Sequence, residues 1–248
     1  MSEAVDEARR TTAIESLQGV VTRSRRAAVV AFHSSFVRGE SGFNKPPLAN
    51  LIQGGRGGQV RLRLFLCMTL IATQAPHSIK DPFAPMYWAR LLAMDPTHGP
   101  RQVSAGLKWL NDNNFIQPTP RRGSLPEIQL LDPRTGKKLT RPVRDFVEVP
   151  LGLWSQGWII DLSATGIALL LVLLHARGPH RSPRYVPTTT KEAYGLSNDT
   201  WTRATHELEE ANLLEVGRTP QGGTFDFRRL RNTYRIKDEI LTPKAADL

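Results

Sequence analysis

The sequence predicts a mainly α fold with small β-hairpins (α+β), laid out as two similar units in tandem. Three observations carry this expectation. Runs with apolar residues at helical spacing outnumber runs of strict alternation. The order helix, helix, helix, hairpin occurs twice, and prolines, glycines and capping residues fall where those elements would begin and end. The 248 residues can bury one large core or two small ones, and 40 % apolar with 23 % charged residues is an ordinary globular balance.

Residues 1–59 hold one apolar island, Ala27-Ala28-Val29-Val30-Ala31-Phe32, and run into Gly54-Gly55-Arg56-Gly57-Gly58. The region Val20–Phe36 reads either as a short helix, packed on later residues or on a second copy, or as a basic arm. The glycine cluster lacks a preceding apolar strand and the dinucleotide spacing, so a flexible linker is expected.

The first unit covers 60–131. Val60–Ala72 places Leu62, Phe65, Leu66, Thr69 and Leu70 on one helical face, and Pro76 ends it. Pro85–Met94 is a second helix, bounded by Asp95-Pro96. Pro100 opens a third, over 101–114, with Val103, Leu107 and Leu110 pointing one way. Phe115-Ile116-Gln117 and Ile128-Gln129-Leu130-Leu131 are extended around a tip, Pro118–Pro126, that holds Arg121-Arg122-Gly123.

Residues 132–162 connect the units through a turn at Asp132–Gly136, Lys137, Lys138, and an extended Phe146–Pro150. Gly136-Lys137-Lys138 lacks the earlier glycine and the Ser or Thr of a phosphate-binding loop. Trp154 and Trp158 read as core between the units.

The second unit covers 163–240, with a tail at 241–248. Ser163 caps a helix running to Ala176, and Arg177–Pro187 is a proline- and arginine-rich loop. Thr188 opens a short helix ending near Gly195. Ser197-Asn198-Asp199 caps a third, running to about Asn212, with Trp201, Ala204, Thr205 and Leu208 inward. Leu213–Val216 and Phe225–Phe227 flank a glycine-paired turn at Thr219–Thr224. A shift of 98 positions lays Val103 on Trp201, Leu110 on Leu208, Phe115 on Leu213 and Ile116 on Leu214.

The charge balance narrows the partners. There are 33 Lys+Arg against 23 Asp+Glu, a net charge of +10, and 25 of the basic residues are arginine. Residues 61–150 hold 13 basic and 7 acidic residues, and 151–248 hold 12 and 11. Arginine suits phosphate oxygens and guanine edges. No uncharged apolar run reaches the roughly 20 residues that span a bilayer, and no secretory signal is read at the N-terminus. The lone Cys67 suits a reducing cytoplasm, and a cytoplasmic, nucleoid-associated location is expected. The six histidines form no metal-type pair, the acids come in surface runs and no nucleophile elbow occurs. Neither a cofactor nor an enzymatic activity is expected.

The segment Gly195-Leu196-Ser197-Asn198-Asp199-Thr200-Trp201-Thr202-Arg203-Ala204, closed by Leu208-Glu209-Glu210-Ala211-Asn212-Leu213-Leu214, resembles the winged helix-turn-helix of bacterial regulators. The match at Arg101–Leu131 is poorer, because its turn, Asp95–Pro100, is longer and proline-laden. Two such units in one basic chain are similar to plasmid-type replication initiators and tandem-domain regulators. The resemblance covers about 60–131 and 163–236; residues 1–59 match nothing of the kind.

The resemblance implies two winged helix-turn-helix domains on double-stranded DNA, acting in transcription regulation or replication initiation. A homodimer on repeated or palindromic sites is one arrangement it allows. The third helix of each unit would enter the major groove, so its outward face should be polar and free of carboxylates near its start. In the second unit that face is Asn198, Thr200, Thr202, Arg203 and His206, with Glu207, Glu209 and Glu210 toward the far end. In the first it is Arg101, Gln102, Ser104, Ala105 and Lys108. Arg121 and Arg122 at one hairpin, and Arg228, Arg229, Arg231 and Arg235 at the other, would contact phosphate or a narrow minor groove, with Phe225 and Phe227 inward. Solvated helix faces with ordinary caps are the competing reading of the same residues. A protein-interaction scaffold built on tandem winged helices is the alternative function, and RNA binding is disfavoured by the lack of an aromatic-rich sheet.

Overall fold

Two helices with long buried apolar stretches, one in each half of the chain, organise the protein. The computed structural model describes residues 2–39, 45–178, 183–220 and 230–242. In chain order the N-terminal part supplies α1 (Ser2–Ser24), β1 (Val29–His33), α2 (Ser34–Val37) and α3 (Pro47–Leu51). The next stretch is α4 (Arg56–Ile71), β2 (Ser78–Ile79), α5 (Pro85–Leu91), α6 (Gly99–Asp112), β3 (Ile116–Arg121) and β4 (Ser124–Leu130). It is followed by β5 (Phe146–Pro150), α7 (Gly152–Ser155) and α8 (Trp158–Asp161). The last part is α9 (Ala164–Arg177), β6 (Arg184–Tyr185), α10 (Thr188–Ala193), α11 (Asn198–Glu210), β7 (Leu214–Pro220), β8 (Leu230–Ile236) and α12 (Asp238–Leu241).

The fold is mixed α and β with small antiparallel sheets, and one arrangement occurs twice. The order helix, strand, helix, helix, strand, strand runs from α4 to β4 and again from α9 to β8. In both, the short first strand pairs with the last, giving sheets ordered β2-β4-β3 and β6-β8-β7. The 98-residue shift is visible in the backbone. Asn114 and Asn212 both take the left-handed conformation, at φ 60° and 59°, which Asn tolerates better than most residues. Behind them Phe115 N–H donates to Leu110 O and Leu213 N–H to Leu208 O, both at 2.9 Å. Each long helix thus ends on the same turn and enters its hairpin at the same angle.

The second half of α4, from Leu64, and α9 from Ile167 to Leu174 sit at the centre because neither stretch has a polar face. Leu62, Leu64, Phe65, Leu66, Cys67, Met68 and Leu70 are buried in α4, as is every residue from Ile167 to Leu174 in α9. A helix apolar all round has to be enclosed, and the two touch each other within one continuous core. Burial pushes the Cys67 thiol up to about 12, so it stays protonated at neutral pH. Trp154 is fully buried and Trp158 packs half-buried on the core, as their placement between the units predicts.

The N-terminal residues depart from expectation. In place of an arm or a short helix over Val20–Phe36, α1 runs through Ser24 and a strand follows. α1 buries Ala13, Leu17, Val20, Val21 and Ser24, a helical stripe diluted by small and polar neighbours. Arg10 forks onto Asp161 of α8, with Nε to Oδ1 at 2.7 Å and Nη2 to Oδ2 at 2.6 Å, and Gln18 donates to Ser155 O. β1 pairs antiparallel with β5, placing Val30 opposite Val149 and Phe32 opposite Val147 on the buried face. The connecting segment therefore holds a strand whose partner lies more than 100 residues upstream. The glycine cluster is no linker either. Gly54 and Gly55 turn the chain at positive φ, and Arg56–Gly58 begin α4. Gly58 lies so near the turn that a Cβ there would stand 2.4 Å from Ile52 O.

Arg63 ties the centre to the α8–α9 corner by donating to Ile160 O at 2.5 Å and Leu162 O at 3.1 Å. Burial pushes its guanidinium down to about 10, still charged at neutral pH, in the field of Asp161 and Glu207. His175, near the end of α9, meets the Tyr194 hydroxyl at 3.0 Å. Burial first, then the charge of Arg38, holds its imidazole below the ordinary 6.5. As pH falls the unfolded chain then takes up this proton before the folded one, so stability present above 6.5 is lost on acidification. Melts between about pH 7 and pH 5 should fall less steeply for His175→Gln, which keeps a partner for Tyr194. Equal slopes in both proteins would remove His175 as the cause.

Candidate nucleic-acid interface

Each candidate helix is fixed by an apolar face and shows a polar one. α6 begins at a turn in which Asp95 Oδ1 accepts from the N–H groups of Thr97 and His98, both at 2.9 Å. The backbone hydrogen bond from His98, above all, holds that carboxyl below its usual range. Val103, Gly106 and Leu110 face inward, and Gly106 lets α4 approach: a Cβ there would lie 3.0 Å from Leu64 Cδ1. Arg61 of α4 stacks 4.1 Å over the Trp109 ring. Arg101, Gln102, Ser104, Ala105 and Lys108 are all exposed, as the spacing predicts. Ser104 Oγ bonds back to Pro100 O, and Lys108 Nζ reaches Asp112 Oδ2 at 2.6 Å, an exposed pair that constrains it little. Gln102 and Ala105 also border an apolar groove of about 360 Å³ with Val60, Gly106 and Trp109.

α11 is held more tightly. The Ser197 hydroxyl accepts from Thr200 N–H at 3.2 Å, the expected cap. Trp201, Ala204, Thr205 and Leu208 are buried, and Trp201 Nε1 donates to Tyr234 Oη at 3.0 Å across to β8. Lys191 stands 4.5 Å over the Trp201 ring. Asn198, Thr202, Arg203 and His206 are exposed. Thr200 is half-buried, with its hydroxyl on Ser197 Oγ at 2.9 Å, so the cap absorbs it. Asp199 is exposed in the first turn, so this face is not free of acid near its start. A carboxylate there suits the helix dipole and can accept from cytosine N4.

Glu207 has a role that reading the chain as a surface run of acids missed. Its carboxylate accepts from Ser163 N–H and from Ser163 Oγ, both at 2.5 Å, capping α9 from a neighbouring helix. Gly166 makes room, since a Cβ there would lie 2.6 Å from Glu207 Oε2. The equivalent place in the first unit, 98 residues earlier, is Trp109 under Arg61.

The hairpin arginines differ in how far they are held. Arg121 does not stand free at its tip: its guanidinium bonds Lys80 O and Asp81 Oδ1, the latter at 3.0 Å, bracing the loop after β2. Arg122 is exposed beside Gly123, which turns at φ 72°. Arg231 is half-buried and lies 4.8 Å over the Tyr185 ring, and Arg235 pairs with Glu215 at 3.5 Å. The loop after β2 supplies the partners of Arg121, and β6 supplies the ring under Arg231. Arg218 is exposed on β7 opposite Asn232, a position that strand alternation through Glu215–Arg218 could have flagged. Arg228, Arg229, Phe225, Phe227 and the Gly222-Gly223 turn lie outside the described residues.

Among the described residues, no helix is long and apolar enough to cross a membrane, and no group of three or more His, Cys, Asp or Glu could hold a metal ion. No family model and no curated protein matches the chain.

Proposed function

We propose that this chain is a sequence-reading duplex-DNA-binding protein built on two winged helix-turn-helix units, acting in transcription regulation or plasmid-type replication initiation. One observation carries the reading. The same six-element topology occurs twice, and in both copies the third helix exposes a polar face ahead of a hairpin that bears an exposed arginine. A helix of this kind fits the roughly 12 Å major groove, and a hairpin beside it reaches the flanking phosphates. Arg203, exposed and without an ion pair among the described residues, is the side chain best suited to guanine O6 and N7 on α11. Gln102 on α6 suits adenine. The turns leading into the two helices differ, seven residues (92–98) against four (194–197), so the two readers would address different sequences.

Selection of bound fragments from random DNA, followed by binding of the selected and random duplexes, tests the reading. Arg203→Ala should cost about 1–3 kcal/mol on the selected site and little on random duplex, relaxing preference at one position. Arg122→Ala with Arg218→Ala should weaken both alike and lower the log–log salt slope by about two. No salt-sensitive retention on any duplex would refute DNA binding and leave the interaction scaffold.

A further inference from the structure

Three arginines converge on one open trough, and among the described residues none of them has a carboxylate bound to it. The trough, about 910 Å³, lies between the β1–α2 corner, the 132–145 segment and the end of α9. His33, Arg38, Arg134, Arg141, Arg144 and His175 line it, and Asp145 is the only acid that lines it among the described residues. Arg38, Arg141 and Arg144 are exposed and make no ion pair or side-chain hydrogen bond among the described residues. Other arginines of the chain do have acidic partners, Arg10 in Asp161, Arg121 in Asp81 and Arg177 in Asp238. Like charges gathered in a cleft raise its potential and attract anions. Charge repulsion is already felt there: burial, and then Arg38, lowers the His175 imidazole.

The lining points to one kind of anion. Among the described residues it contains no Phe, Tyr or Trp on which a base would stack, and its polar groups are guanidiniums, imidazoles, the hydroxyls of Ser34, Ser35 and Thr140, and the one carboxylate of Asp145. That is a surface for phosphates in series, not for a nucleobase. Its place points the same way. Gly39 N–H donates to Ala193 O at 2.8 Å, and His175 holds Tyr194, so one wall is fastened to the α10–α11 corner just before the exposed first turn of α11.

We propose that this trough is a third anchoring surface, which grips the sugar-phosphate backbone of the duplex beside the α11 contact. It rests on the duplex-binding reading above. The test compares the full chain with the triple variant Arg38→Ala, Arg141→Ala, Arg144→Ala on selected and random duplexes over a salt series, with a thermal melt to establish folding. Affinity for both duplexes should fall about tenfold or more at low salt, the log–log slope should drop by about 2–3, and the selected-to-random ratio should hold. If the triple variant does not fold, Arg141→Gln with Arg144→Gln should still lower the slope by about two. Unchanged affinity and slope in a folded variant would overturn the trough while leaving duplex binding by the wild type intact. No duplex binding by the wild type would overturn both. Inorganic tripolyphosphate bound by the wild type and lost from the variant, with duplex affinity unchanged, would assign the trough to a small polyphosphate and overturn the proposal.

Discussion

Glu207→Ala should lower the melting temperature by about 5–10 °C. The carboxylate accepts two hydrogen bonds from Ser163, one from the backbone N–H and one from the hydroxyl, which also caps the central helix α9 by accepting from Gly166 N–H. Hydrogen bonds to a charged group contribute about 1.5–3 kcal/mol, and donors left unmet in a part-buried place add to the loss. About 2–3 kcal/mol is expected, at 2–4 °C per kcal/mol in a protein of this size. Glu207→Gln keeps an acceptor for the N–H and should lose less than half as much. Because Glu207 is on α11, the alanine variant also frees that helix to shift on α9, so binding to a selected duplex should weaken along with stability. A melt within 1 °C of the wild type would mean that the contact contributes nothing.

Two neighbouring glycines should respond in opposite directions to the same substitution. Gly58→Ala puts a methyl 2.4 Å from Ile52 O and 2.6 Å from Ile52 C, both backbone atoms, so the turn before α4 has to move. Overpacking of this kind costs about 1–3 kcal/mol and exceeds the roughly 1 kcal/mol that alanine gains over glycine in a helix. Gly57→Ala meets only the Arg61 guanidinium, at 3.6 Å, and keeps that gain. Urea melts should therefore show Gly58→Ala destabilised and Gly57→Ala stabilised, and a shift of the same sign in both would contradict the packing described for the turn.

What could be read from the chain follows from the range of the forces involved. Helices α5, α6, α9 and α11 were legible because their apolar faces and caps are local: Pro85, Pro100, Ser163 and Ser197 all mark starts. The outward faces of α6 and α11 followed from the same 3.6-residue period. β2 and β6 were not legible, since two residues carry no period and owe their conformation to β4 and β8. β1 was hidden because its partner β5 is remote in sequence. The same short strands hide the partners of two hairpin arginines: Arg121 and Arg231 look free in the sequence until β2 and β6 with their loops bring Asp81 and Tyr185 alongside. α1 was obscured by composition, with small and polar residues interrupting its stripe. Glu207 was legible as an acid on a helix, while its role depended on Gly166 and Ser163 arriving from another one.

The ladder between β1 and β5 also sets an order for synthesis. Val30 waits at the ribosome exit while everything up to Val149 is translated, so the first helical unit and its hairpin are free to fold before that clasp can close. At roughly 5–20 residues per second the wait lasts several seconds, ample for local helices and hairpins. Until then Val30 and Phe32 form an unpaired apolar edge, open to a chaperone or to another chain.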